Sequence, residues 1–548
     1  MPPRYPTSTP NKRTSHTCRP QDIVEVLCHR KCGESEEFLV RWRTNPVFPR
    51  PPRSILSWHA LPELDDCLHH IQLYLEDNPA IQTANDAATS DGATNNSFTS
   101  SRKRKLSGDA NSSRDTANGL LTPANSADRS RSPSTERTQG SFGPRVYNGI
   151  LQKKEGRIIA KSLRKLSEAA KEDVATINST TLPTPAMLHE ARSTPLPQAE
   201  LAIRMKFLEL LKPVKNVQLQ NLVDKTTPSL NFTFVDDYVL REGVVALPSG
   251  EYAGCGENKV RSNSCRPNMG QNMGCEYTQL CECLEYAPVD ERALLRKDPE
   301  LHEQYMQADA AGETIDTMGM PKRFPYSAPK RDGSSAPQTL ASYYLEKRDP
   351  IFECNDYCNC GKGCKSRVVQ KGRKVPLTIF KTENRGWGVY CNEDLVAGEF
   401  IDTYLGEVIT DEEANRRESE GGTMKNSYLF SLDKFSTVHD GNVEPEDCFT
   451  VDGQYMGGPT RFINHSCEPN CRQYAVSLNK HDYRLYNLAF FAYENIPAGT
   501  ELTFDYFDLD EVEEDEAIRR REAAEQDPKN KDKVRCNCRA TKCRGFLW

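Results

Sequence analysis

The chain of 548 residues is too long for a single hydrophobic core, and its 37% apolar content is low enough to leave long stretches outside any core. Its net charge of −7 excludes a chain-wide polybasic binder of nucleic acid, so local charge is what counts. No run of about 18 apolar residues occurs, and MPPRYPTSTPNKRTSH lacks the apolar centre of a signal peptide, so the expectation is a soluble protein with no membrane partner that is not secreted.

Residues 20–80 read as the first folded module. DIVEVLCHR, FLVRWR and ILSWHAL are short β-rich runs, and LDDCLHHIQLYLED repeats its apolar residues at Leu64, Cys67, Leu68, Ile71 and Leu75, a helical spacing. Three strands closed by one C-terminal helix follow. Residues 81–200 are expected to be a disordered linker with basic segments. Up to about 145 the linker is dominated by Ser, Thr, Asn, Asp and Ala, with Phe98 and Phe142 its only aromatics, and cannot bury a core. Within it, Arg102 to Lys105 form a basic run that is either a nuclear import signal or a solvated charge cluster, and SRSPS at 130–134 is a phosphorylatable segment. LQKKEGRIIAKSLRKLSEAAKE, 151–172, places Leu151, Ile158, Ile159 and Leu166 on a plausible basic helix, which either contacts nucleic acid or a partner or is simply solvated.

Apolar density returns near 200 with LAIRMKFLELL and persists apart from a polar, Pro-rich insert between Ala287 and Tyr343 and a charged tract from Asp508 to Lys533. Of the twenty cysteines, thirteen fall into three clusters together with Cys467, a pattern that reads as metal ligation rather than disulfides. Cys255, Cys265, Cys275, Cys281 and Cys283 form the first cluster, and Cys354, Cys358, Cys360 and Cys364 the second. Tetrahedral zinc takes four ligands, so nine thiolates close a three-zinc cluster if three of them bridge. Such a cluster would tie two segments, separated by a flexible insert, into one scaffold; two separate sites with a spare thiol is the simpler alternative. The third cluster, Cys536, Cys538 and Cys543, lacks a fourth ligand, for which RFINHSCEPNC offers Cys467 and Cys471.

Between the clusters, PLTIFKT, NRGWGVYCNE, GEFIDTYLGEVIT, SYLFSLD and LAFFAYENIPAGTELTFDY are short strands punctuated by Gly and Pro, which makes this region β-rich. The ordered set of nine-Cys block, RGWGVY, YLGEV, NHSCEPN, ELTFDY and a terminal C-x-C-x4-C resembles the SET-domain lysine methyltransferases flanked by pre-SET and post-SET zinc modules. More narrowly it resembles the suppressor-of-variegation class, which methylates lysine 9 of histone H3. The resemblance covers about residues 230–548. It implies a SET-domain β-fold with a pseudoknot, divided into an N-terminal support at 201–250, a three-zinc pre-SET at 251–370, the SET domain at 371–508, a charged loop at 509–534 and a one-zinc post-SET at 535–548.

The same resemblance implies roles residue by residue. Arg385, Gly386, Trp387 and Gly388 would cradle S-adenosylmethionine, completed by Tyr428, Arg461, Phe462, Asn464 and His465. Tyr506 falls at the catalytic tyrosine, Tyr428 lines the lysine channel, and Cys467 joins Cys536, Cys538 and Cys543 on a fourth zinc, leaving Cys471 structural. Phe504 sits where the family sets product state: Phe leaves room for di- and trimethylation, whereas a Tyr hydroxyl holds a water that blocks rotation of the methylated amine. The chemistry agrees with these placements. Transfer from a sulfonium is an in-line displacement on a neutral, aimed amine, and an apolar aromatic channel disfavours the ammonium of a lysine whose free pKa is about 10.4.

The N-terminal module resembles a chromodomain through DIVEVL, FLVRW and SWHALPEL. Trp42 falls on one position of the aromatic cage that holds methylated lysine, while Asp22 and Asn45 occupy the other two and Phe48 is a candidate substitute. The acidic run DLDEVEEDE at 508–516 would attract a basic histone tail or be merely solvated. Lys529, Lys531 and Lys533, tethered beside the channel, are candidates for pseudo-substrate binding or automethylation. The expected partners are the histone H3 tail, the nucleosome and other silencing proteins, in nuclear heterochromatin. The alternatives are the same chemistry on another histone or non-histone lysine, or a catalytically silent zinc-rich scaffold.

Overall fold

The structure, a computed structural model, describes residues 20–43, 56–79, 81, 150–154, 157–161, 182–246, 282–313, 315–327, 337–358, 360, 364–420, 428–437, 443–507, 514–527 and 533–547. The chain divides into two compact units, Met1–Ala202 and Ile203–Trp548.

In the first unit, strands Ile23–Cys32, Ser35–Trp42 and Leu56–Ala60 form an antiparallel meander. Leu64, Cys67, Leu68, Ile71 and Leu75 are all buried, so the helical spacing read from the sequence marks the face of Leu68–Glu76 and the turn before it that meets the core. Two expectations need correction. The basic segment expected as a helix instead supplies strands Ile150–Lys154 and Arg157–Lys161, which extend the same sheet in consecutive order. Lys154 pairs with Arg157, so two residues, Glu155 and Gly156, connect them, and Gly156 together with the β-branched Ile158 and Ile159 disfavours a helix there. The linker also ends earlier than expected. Thr184 caps helix Pro185–Ser193 by accepting from the Met187 amide at 3.3 Å, and Met187 and Ala191 share a core with Cys28, Leu39 and Leu56. The buried Glu36 carboxylate accepts from the backbone amides of Gln198 and Ala199 at 2.9 and 2.8 Å, satisfying the open first turn of helix Pro197–Leu211.

The second unit is built on three main sheets, as its Gly- and Pro-punctuated strands predict. One runs Asn464–His465, Glu501–Phe504, Trp387–Cys391, Leu377–Lys381, Val217–Gln220. A second holds Phe400–Tyr404, Asn487–Ala492, Cys471–Ser477 and Ile351–Phe352, and a third Leu429–Ser431, Phe449–Asp452, Glu407–Thr410 and Val239–Leu240. Their inward faces meet in one core that includes Leu377, Ile379, Val389, Ile401, Val451, Phe490 and Leu502. The pairing that positions the site is parallel: Asn464 lies opposite Thr503 and His465 opposite Phe504. This register sets NHSC beside ELTFDY, although the two motifs are distant in sequence.

The insert after Ala287, expected to be flexible, is folded where it is described. Asp290 and Asp298 accept from the amides of Ala293 and Leu301 at 3.0 Å each, capping helices Glu291–Lys297 and Pro299–Ala311, and Gly312 ends the second in a left-handed conformation. Val289, Leu294 and Met320 give this insert its own small core. In the charged tract, Glu514–Gln526 is helical and Lys533 is exposed, whereas residues 508–513, Lys529 and Lys531 lie outside the described residues. No helix among the described residues is long and apolar enough to cross a membrane.

Candidate active site and metal centres

The RGWG turn is closed by Thr382, whose hydroxyl accepts from the Arg385 amide at 2.9 Å and donates to the Gly386 carbonyl at 3.0 Å. Gly386 has φ of +67°, a backbone conformation that side chains resist. Gly388 is needed for a different reason: a Cβ there would lie 2.8 Å from Glu501 Oε1 and 2.9 Å from Phe380. Gly388 is therefore a packing position behind the wall, and it does not line the cavity as the family pattern implied.

Ten other sequence-predicted residues do line one cavity of about 460 Å³: Arg385, Gly386, Trp387, Tyr428, Arg461, Phe462, Asn464, His465, Phe504 and Tyr506. Asn464 Nδ2 donates to the Trp387 carbonyl at 3.1 Å and to Glu501 Oε1 at 2.9 Å, while Arg385 Nη2 donates to Glu501 Oε2. One carboxylate thus orients two wall residues, and sequence reasoning missed it. Arg385 Nη1 is buried with no hydrogen-bond partner among the described residues. Arg461 donates through Nε to the Gly453 carbonyl at 2.9 Å and through Nη2 to that of Gln454 at 3.3 Å, and its guanidinium stacks 4.2 Å from the Tyr428 ring centroid. Its hydrogen bonds go to backbone, so Arg461 shapes the wall by holding Tyr428.

Part of the lining is an aromatic cluster. Phe504 and Tyr506 are 4.8 Å apart between centroids, Phe430 lies 5.7 Å from Phe504, and Tyr404, unmarked in the sequence reading, stacks edge-on to Phe430 at 4.7 Å. Tyr506 donates its hydroxyl hydrogen to the Ile463 carbonyl at 2.9 Å, and Tyr404 donates to that of Tyr428 at 2.9 Å. Burial raises the Tyr506 phenol well above its ordinary range, so it stays protonated at neutral pH. Burial, only partly offset by the Asp505 carboxylate, lowers His465 to about 4, so the ring is neutral. His465 Nδ1 accepts the Tyr506 amide hydrogen at 3.2 Å, which places its own proton on Nε2, 3.3 Å from Cys467 Sγ.

The C-terminal segment closes the cavity with Val534, Arg535, Cys536, Asn537, Cys538 and Leu547. Cys467, Cys536, Cys538 and Cys543 bring their sulfurs within 4.8 Å of one another. A zinc tetrahedron with Zn–S bonds of about 2.3 Å needs sulfurs roughly 3.8 Å apart, so this quartet fits zinc. The Cys467 thiol, then Cys536, pushes Cys538 toward the thiolate, while Cys536 and Cys467 are themselves pushed the other way. Cys471 stays out of the quartet, buried with its thiol directed to Asn470 Oδ1 at 3.3 Å. In the pre-SET region Cys283, Cys354, Cys358 and Cys360 form a second such group, with Cys364 Sγ 3.7 Å from Cys354 Sγ. Cys255, Cys265, Cys275 and Cys281 lie outside the described residues.

Comparison with known proteins places this architecture. The SET domain family matches residues 386–507, and the Pre-SET motif family matches residues 211–367. The chain is 36% identical over 339 residues to the Neurospora crassa histone-lysine N-methyltransferase, H3 lysine-9 specific dim-5, covering 61% of this chain and 88% of that protein. It is 33% identical over 347 residues to the H3 lysine-9 specific histone-lysine N-methyltransferase of Schizosaccharomyces pombe, covering 63% of this chain and 57% of that one. Superposition on the solved Neurospora SET domain protein DIM-5 gives a TM-score of 0.42 at 35% identity, over 54% of this chain and 96% of that one. With its pre-SET cysteines, its SET sheets and 88% of a relative's length matched at 36% identity, the chain belongs to the SET-domain histone-lysine methyltransferases of the suppressor-of-variegation class.

Proposed function

We propose that the chain methylates lysine 9 of the histone H3 tail, to the di- and trimethyl state, with S-adenosylmethionine as donor. The observation that carries this is the parallel pairing of NHSC with ELTFDY, which brings aromatic and polar side chains into the lining of one cavity, as a lysine channel beside a cofactor cradle requires. The cradle suits a zwitterionic, adenine-bearing ligand: the unpartnered Arg385 Nη1 matches a carboxylate, and Trp387 offers an aromatic face beside the Asn464 amide. S-adenosylmethionine, when bound, supplies an electrophilic methyl group.

The chain's own residues do the rest by desolvation and alignment. Among the described residues lining the cavity there is no Asp or Glu. Phe430, Phe504 and Tyr506 instead surround an entering lysine with apolar faces that penalise its ammonium form. Because the Tyr506 hydroxyl hydrogen is committed to the Ile463 carbonyl, its oxygen lone pairs are left to accept from the amine and aim it. Tyr428, held by Arg461, flanks the same opening.

We assign one zinc to Cys467, Cys536, Cys538 and Cys543 and three to the nine pre-SET cysteines; the close sulfurs of the first four, and of five of the nine, support this reading. We assign the N-terminal unit as chromodomain-like on its sheet-and-helix order. Trp42 and Asp22 are 2% and 1% exposed, and Trp42 packs edge-on to His59, so these two positions support a structural role over an open aromatic cage. Nuclear heterochromatin, with the nucleosome and silencing proteins as partners, is the setting this function requires, and the basic segments are available to nucleic acid. Incubating the full chain with cofactor and an H3-tail peptide, with each lysine replaced in turn, tests the proposal. Transfer confined to a lysine other than 9 overturns the site assignment, and no transfer favours the silent scaffold.

A further inference from the structure

We propose that Arg544 is a positioning residue for Tyr506, fastening the C-terminal segment to the catalytic tyrosine from behind the cavity wall. Asp505, between Phe504 and Tyr506, is 9% exposed in its side chain and accepts both arms of the Arg544 guanidinium, at 2.7 Å from Nη1 and 2.6 Å from Nη2. This is a two-point, charge-assisted fork with fixed orientation, unlike a single surface ion pair. Neither Asp505 nor Arg544 lines the cavity, whereas the residues on both sides of Asp505 do. The pair therefore acts on the wall and not on the ligand.

A second thread runs from the same arginine. The Arg544 amide lies 3.4 Å from Cys467 Sγ, which His465 Nε2 approaches at 3.3 Å, and His465 Nδ1 accepts the Tyr506 amide hydrogen. The backbone of residues 505–506 is thus held at the Asp505 carboxylate, directly by the Arg544 guanidinium, and at the Tyr506 amide by His465, which shares the Cys467 sulfur with the Arg544 amide. Docking of the C-terminal segment closes the cavity and, through this fork, sets the Tyr506 phenol relative to the Ile463 carbonyl. With Arg544 removed, the Asp505 charge is left buried without its main partner, and the segment carrying Tyr506 moves to hydrate it.

The inference rests on the methyltransferase function proposed above. It is tested on the full-length chain as wild type, Arg544→Ala, Arg544→Lys, Asp505→Asn and the Arg544→Ala/Asp505→Asn double variant. The readouts are kcat and KM for an H3-tail peptide, the affinity for S-adenosylhomocysteine by calorimetry, and zinc per chain. Displacing an aligned group by about 1 Å costs on the order of a hundredfold in rate, so Arg544→Ala should lower kcat by about that factor while KM and cofactor affinity change less than about threefold. Zinc content should be unchanged, Arg544→Lys should recover part of kcat, and the double variant should be no slower than Arg544→Ala. Should Arg544→Ala fail to fold, Arg544→Lys and Asp505→Asn carry the same kcat comparison. Unchanged kcat, or a loss that tracks zinc or cofactor affinity, overturns the positioning role while leaving the function intact. A wild-type chain that transfers no methyl group overturns both.

Discussion

Glu501 is the residue whose replacement should reveal most about how the cofactor cradle is held. Its carboxylate accepts from Asn464 Nδ2 at 2.9 Å on one oxygen and from the Arg385 guanidinium on the other, and the paired side chains of Glu501 and Arg385 are 19% and 21% exposed. At that depth solvent screening is incomplete, and a hydrogen bond between charged partners contributes about 1.5–3 kcal/mol. Glu501→Gln can keep the acceptor for Asn464 but loses the charge facing Arg385, so about half of that energy, roughly 1.4 kcal/mol, should disappear from the cofactor-ready wall, a factor of about ten in affinity. Calorimetric titration of the full chain with S-adenosylhomocysteine should accordingly show Kd about tenfold weaker, with little change in melting temperature. An affinity within about twofold of wild type would refute the idea that this carboxylate organises the cradle.

Three further outcomes are expected. Phe504 is 3% exposed and ringed by Phe430, Phe490 and Tyr506, so Phe504→Tyr adds a hydroxyl where an added methyl group would otherwise turn, and mass spectrometry of the peptide product should shift toward the monomethyl state; unchanged product ratios count against it. Cys467→Ser should cost one zinc by elemental analysis and reduce activity to background, because three thiols cannot close a tetrahedron. Stability of the N-terminal unit should depend on acid. Burial lowers His29 to about 4, where the neutral ring accepts from the Tyr74 hydroxyl at 2.9 Å and donates to the Thr194 carbonyl at 2.8 Å. The unfolded chain binds the extra proton first, so the stability is present above the ordinary histidine pKa of about 6.5 and falls between there and about 4, by up to roughly 3 kcal/mol. A flat melting profile across that window, with His29→Gln as comparison, would contradict it.

The catalytic unit was legible to the extent that its chemistry fixes spacing. A zinc tetrahedron needs a fourth ligand beside Cys536, Cys538 and Cys543, which left Cys467 and Cys471 as candidates; the family resemblance pointed to Cys467, and its sulfur lies with the other three. The family resemblance marked RGWG, SYLFSLD, RFINHSC and ELTFDY, and ten of the residues it singled out there share one cavity. Glu501 was not readable, because its meaning lies in Arg385, 116 residues earlier in the chain, and no local pattern announces that pairing. Leu547 was not marked either, and Tyr404, although it opens the YLGEV motif, was given no role there. Helix Pro299–Ala311 was overlooked because it buries none of its residues and so shows no apolar stripe, although Asp298, Pro299 and Gly312 spelled its two ends. The segment at 150–161 misled in the opposite direction: a scattering of Lys and Arg suggested a basic helix, while Gly156 and the paired isoleucines were the stronger signals.

The most direct test of the account is transfer of labelled methyl from S-adenosylmethionine by the full-length chain to an H3-tail peptide, beside the same peptide with lysine 9 replaced by arginine. The account predicts di- and trimethylated product on the first peptide, none on the second, and loss of both products when Tyr506→Phe removes the hydroxyl that Ile463 orients. Equal labelling of the two peptides, or undiminished transfer by Tyr506→Phe, would contradict it.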